Sequence, residues 1–147
     1  MTSRAIEVSA RLGRSLTIIT GIAVLIWSSL EDSDAVLVTT LGTLSATTAT
    51  IAIFSLPSMR ERLPRGDLRT RAAIRGALIG ALAAITTALL MLFKDLRHAH
   101  IFPDYPPGMM LETLEKLPIW ALAGGLAGFG IGSLVMLGRD WAKVRRR

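Results

Sequence analysis

WALAGGLAGFGIGSLVML, residues 120–137, places five glycines from Gly124 to Gly132 inside an unbroken apolar run. Glycines crowd together for two physical reasons. In a phosphate-cradling loop the bare backbone approaches a ligand, and that loop needs a strand before it, a helix after it and a polar partner close by. None of these adjoins GFGIGS at 128–133. In a membrane helix, glycines strip one flank so that a second backbone can come close, because packing replaces the hydrophobic effect as the adhesive in lipid. At 100° per residue, Ala121, Gly124, Gly125, Gly128 and Gly132 share one flank within about 100°. That is GxxxGxxxG, with Gly130 to one side. The stretch reads as a spanning helix that packs through its glycines.

The rest of the chain supports a membrane setting. Of its 147 residues, 51% are hydrophobic and 19% charged, and the mean hydropathy is +0.49. The apolar residues fall in four blocks, 15–30, 35–56, 72–93 and 117–138. The last three are long enough to cross a hydrocarbon core of about 30 Å at about 1.5 Å per residue. The first is shorter and draws on Leu12 and Gly13, or on a locally thinned bilayer. Its basic front resembles a signal peptide, but SSLEDSDAV follows where a small, neutral cleavage site would be needed, so it is expected to remain uncleaved.

Charge sets the expected topology. Segments 1–15, 57–75 and 138–147 hold every Lys and Arg except Lys94, Arg97 and Lys116, whereas 31–34 and 94–117 hold most of the acids. This alternation predicts cytoplasmic termini and a cytoplasmic loop at 57–71, with 31–34 and 94–116 outside. An even number of crossings returns the chain to its starting side, and four blocks supply it. The net charge of +6 is therefore a topology signal with some attraction to anionic lipid at the basic loop and the tail 139–147; nucleic acid is not expected as a partner. The expected class is an all-α, four-helix membrane bundle, preceded by a short interfacial helix at 4–14 and carrying a short amphipathic helix in the outer loop. A prokaryotic plasma membrane is the expected location. Trp27, Phe54, Phe93, Trp120 and Trp141 lie near block ends, as interfacial aromatics do.

Each block has a smooth flank. In the third, Ala73, Gly76, Gly80, Ala83, Ala84 and Thr87 align; in the second, Thr39, Thr43, Ala46, Thr47 and Thr50 align, with Thr40 beside them; in the first, Thr17, Gly21 and Ser28 align more loosely. Smooth flanks are expected to face protein and bulky Leu/Ile flanks lipid, with Gly76, Gly80, Gly124, Gly125, Gly128 and Gly132 making the closest contacts. The central glycine should accept Ala in part and Leu not at all. Thr39, Thr43, Thr47 and Thr50 read either as packing residues or as the polar lining of a solute path.

Little in the sequence points to chemistry. There is no cysteine, which removes disulfides and zinc–thiolate sites, and no cofactor is expected. The blocks hold no Asp, Glu, Lys or His away from their ends, which disfavours ion-coupled transport. A cation site would have to be built outside, from His98, His100 and Asp104 with Asp95 and Tyr105 nearby. The first functional reading is a non-enzymatic accessory or structural subunit that meets other membrane subunits, or further copies of itself, in the lipid bilayer. The alternative is a homo-oligomeric pore, holin-like protein or passive solute transporter lined by the threonines. A membrane enzyme using the outer loop stands third.

Overall fold

The computed structural model describes residues 3–30, 34–55, 67–98 and 103–144, without the side chains of 3–14, 55, 140 and 142–144. Among these residues the chain is helical with no strand. Helix α1 spans Ser3–Trp27, α2 Ala35–Ser55, α3 Leu68–His98, α4 Pro107–Glu115 and α5 Leu117–Val144. The expected interfacial segment 4–14 and the first apolar block form one continuous helix.

Local chemistry fixes the helix starts. The Asp34 carboxylate accepts the Val36 N–H at 2.7 Å ahead of α2, and Asp67 accepts that of Arg69 at 2.9 Å ahead of α3. Each satisfies an N–H that has no partner within the helix itself. Helix α4 opens on Pro107 after Pro106, where the missing N–H costs no helical bond. A break at Lys116 separates α4 from α5, and the Lys116 carbonyl accepts the Trp120 N–H at 3.0 Å.

Among the described residues three helices are long and apolar enough to cross a membrane, within Ala35–Phe54, Leu68–His98 and Leu117–Arg139; the apolar part of α1, Ser15–Trp27, is shorter. Helix α3 holds no charge between Arg75 and Lys94, an interval of about 28 Å at about 1.5 Å per residue, close to the thickness of the hydrocarbon core.

The helices stand in a row rather than closing on one another. Helix α3 packs against α2 on one side and α5 on the other, α1 packs on α2, and α2 and α5 do not meet. This departs from the compact bundle expected from four smooth flanks. The reason is that α3 is smooth on two sides. Gly76 and Gly80 serve α5, while Thr86 and Thr87 serve α2, and nothing draws the outer helices together. Two further flank assignments change. Gly21 and Thr17 lie on the exposed side of α1, whereas Thr20 is buried and lies 3.2 Å, oxygen to oxygen, from Thr48 of α2. On α2 the buried residues are Val38, Leu41, Gly42, Ala46, Thr48 and Thr50, of which Val38, Gly42, Ala46 and Thr50 stand four apart on one flank. Trp27, near the end of its block, is turned inward: with Val38, Leu41, Met91 and Tyr105 it forms the apolar core.

Candidate functional site

The glycines of α3 and α5 form a seam between antiparallel helices. A methyl group placed on Gly76 would meet the Gly124 carbonyl oxygen, one on Gly80 the Trp120 carbonyl, one on Gly124 the Gly76 carbonyl, and one on Gly128 the Ala72 carbonyl. The obstacle in each case is backbone, which cannot rotate aside as a side chain can. Gly132 is also tight, with Ala72 Cβ and Arg69 Cα both at 3.0 Å from such a methyl, whereas Gly125 would make an ordinary contact with Ala77 Cβ at 3.5 Å. Gly130 faces open space. Thus Gly76, Gly80, Gly124 and Gly128 leave no room even for Ala, a stricter requirement than spacing alone implied, and Gly125 lies at the edge of the seam.

The second contact of α3 uses one glycine that periodicity did not expose. A methyl on Gly42 would meet Thr87 Oγ1 and its backbone nitrogen. Beside it, Thr86 Oγ1 donates toward the Gly42 carbonyl at 2.7 Å, sharing its proton with the Leu82 carbonyl at 2.8 Å in its own helix. The threonine stripe of α2 behaves differently. Thr43 and Thr47 donate to the Thr39 and Thr43 carbonyls at 2.9 and 2.8 Å, and Thr50 to the Ala46 carbonyl at 2.7 Å. Thr43 is exposed, Thr39 and Thr47 are half-buried, and only Thr50 is buried. The stripe therefore winds from the outer surface of the chain into the contact with α3.

These geometries separate two variants of one chemistry. Thr86→Val should cost about 0.6–1.7 kcal/mol, the range for a hydrogen bond between membrane helices. Thr43→Val should cost close to nothing, because its hydroxyl serves only its own helix. Reversible unfolding in mixed micelles with rising SDS fraction, followed by far-UV circular dichroism, measures both; equal effects would refute the cross-helix role of Thr86.

A polar cluster caps the row at the far end of α3. Lys94 is fully buried, with its ammonium 4.9 Å from the centre of the Trp27 ring and 5.9 Å from that of Tyr105. Arg97 Nη1 donates to Ser28 Oγ at 2.6 Å. His98 Nε2 lies 3.1 Å from the Ser28 carbonyl, at the C-terminal end of α1, and its Nδ1 lies 3.0 Å from Asp104 Oδ2. Cationic groups at a helix C-terminus are favoured by the partial negative charge of its unpaired carbonyls. Asp95 Oδ1 accepts the Tyr105 backbone N–H at 3.0 Å, which pins the loop between α3 and α4.

The cluster joins Asp95, His98, Asp104 and Tyr105, which are close in sequence, with the neighbouring Lys94 and with Trp27 and Ser28 from α1 and its end. His98 faces an acceptor on each ring nitrogen, so both contacts are hydrogen bonds together only when the ring carries two protons. That arrangement clasps a loop and turns both nitrogens of His98 toward protein. His100, the other histidine expected of a cation site, lies outside the described residues, among which no three His, Cys, Asp or Glu side chains are placed to hold a metal ion together. Lys94 was the residue least visible in advance: at the end of an apolar block it reads as an interfacial charge, and its burial depends on Trp27 and Tyr105 closing over it.

No family model, characterised protein or solved structure matches the chain.

Proposed function

We propose that this is a four-crossing integral membrane protein, with both termini cytoplasmic, that acts as a non-enzymatic structural or accessory subunit. The observation that carries this reading is the division of labour among the helix surfaces. The glycine seam holds α3 to α5 within one chain, and the remaining faces of α5 are left bare, with Ile119, Leu122, Leu126, Ile131 and Leu134 exposed. In lipid such a helix is free to meet other subunits without disturbing its own fold. Four crossings are supported by α1: it runs antiparallel to α2 and its last turn reaches the level of Arg97 and His98.

Capture of the tagged chain from native membranes in mild detergent, followed by native mass spectrometry, tests the reading. A second membrane protein at fixed stoichiometry is the expected result. A homo-oligomer that conducts ions or small solutes in liposomes would favour the pore instead; there the exposed Thr43 stripe would gain its facing wall from further copies. Exclusively monomeric protein would refute both.

Orientation has its own test. Single cysteines replacing Ser33 and Ser58, both outside the described residues, should differ in intact cells: Ser33→Cys reacts with an impermeant maleimide and Ser58→Cys does not. The reverse pattern would invert the topology.

A further inference from the structure

Two grooves flank the glycine seam, one on each side, and they are of nearly equal size, about 560 and 550 Å³. The first is lined by apolar residues and glycine alone, among them Ile74, Leu122 and Phe129. The second opens on the side of α3 that faces toward α2 and carries Arg71 and Arg75 at one end, with Ile79, Ala127 and Ile131 along its length. Arg71 and Arg75 are four residues apart, so both guanidinium groups project from one face of α3. Arg75 is steadied by the Phe54 ring, whose centre lies 5.1 Å from Cζ. A smaller hollow of about 230 Å³ adjoins the same Arg75 and Ile79 and reaches Thr50, Ile51 and Phe54 of α2. The two hollows adjoin at Arg75 and Ile79, in the gap left because α2 and α5 do not meet, and the larger is a trough between α3 and the Gly124–Ile131 stretch of α5.

We propose that this trough binds one anionic phospholipid, its phosphate held by Arg71 and Arg75 and one acyl chain lying along Ile79, Ala127 and Ile131. The inference rests on the membrane reading above and adds a defined site to it. The charge pattern selects the ligand. Arginine pairs with phosphate oxygens through paired N–H donors, and Arg75 begins the uncharged interval of α3, at the depth where a phospholipid phosphate lies. The apolar part selects it too. The floor includes Gly76, Gly124 and Gly128, whose lack of side chains leaves a narrow channel suited to a polymethylene chain. The opposite groove offers the same apolar shape without the cations and serves as an internal control.

Native mass spectrometry of the full chain, released from micelles doped with phosphatidylglycerol or with phosphatidylcholine of identical acyl chains, tests the site. One phosphatidylglycerol should stay bound under activation that strips phosphatidylcholine; equal retention of the two overturns the proposal without any variant. Arg71→Gln with Arg75→Gln should reduce that retention tenfold or more, and so should Ala127→Phe, which fills the trough and leaves both arginines in place. Ile74→Phe, in the opposite groove, should leave retention unchanged. If the arginine pair matters but Ala127→Phe does not, the headgroup merely adsorbs to a basic surface and the trough is not the site. If millimolar inorganic phosphate displaces the lipid, the site is one for a free anion. Either result overturns the proposal. The SDS-unfolding midpoint of each variant identifies any that fail to fold. Failure of the membrane reading looks different: the chain would remain in the aqueous phase without detergent.

Discussion

Gly128→Leu should abolish the pairing of α3 with α5, while Leu134→Phe, about two turns further along the same helix, should leave it intact. At Gly128 the carbonyl of Ala72 occupies the place a Cβ would take, so any side chain forces the two backbones apart along the seam. The loss is then shared by Gly124 and Gly132, whose contacts depend on the same separation. Overpacking a tight contact costs about 1–3 kcal/mol and occasionally more; Ala should fall inside that range and Leu at or beyond its upper end. Leu134 is exposed, so a larger side chain there displaces no neighbour within the chain. Gly130→Ala sharpens the comparison, because it lies between the two seam positions yet faces open space. Helix propensity favours Ala by about 1 kcal/mol at either site, so Gly130→Ala should be neutral or stabilising and Gly128→Ala destabilising. SDS unfolding of the three variants supplies the measurement. Equal loss at Gly128 and Gly130 would mean that the fourth apolar block is merely intolerant of substitution and that the seam carries no special weight.

That seam was legible because glycine in a membrane helix has few other uses, and its spacing is preserved by the helix itself. Gly76 and Gly80 on α3 and Gly124 and Gly128 on α5 are marked as packing positions by spacing, whereas their pairing with one another comes from the fold. The contact between α2 and α3 was not legible in this way. Gly42 is a single glycine with no period to mark it, and the threonines around it drew attention because they align. Alignment of threonines does not require burial, since each hydroxyl can satisfy itself on the carbonyl one turn earlier, as Thr43 and Thr47 do. The closed bundle failed for a related reason. Small residues show that a flank can be approached, but not that two flanks of one helix will be used by different neighbours. The polar cap was half legible. Asp95, His98, Asp104 and Tyr105 lie close together in the chain, whereas Trp27 and Ser28 reach them only through the fold.

Trp27 and Trp141 test that distinction directly, because position in the sequence gave both the same interfacial role. The fold separates them: Trp27 is 2% exposed and Trp141 70%. Trp27 fills the junction of α1, α2 and α3, where its ring packs 6.5 Å from that of Tyr105 and covers the Lys94 ammonium. Trp27→Ala removes the largest fully buried side chain and should cost about 3–5 kcal/mol, the usual loss for a buried tryptophan. Trp141→Ala should stay within about 0.5 kcal/mol of the wild type. Part of the Trp27 loss belongs to the cation. Lys94→Met keeps most of the buried stem and removes the charge, and a desolvated cation over an indole ring contributes about 2 kcal/mol. If ring and ammonium act on one another, Lys94→Met should cost less in a Trp27→Leu background than in the wild type. Additive losses would place the stability of the cap in packing alone. A loss at Trp27→Ala no larger than that at Trp141→Ala would remove the core from this end of the row.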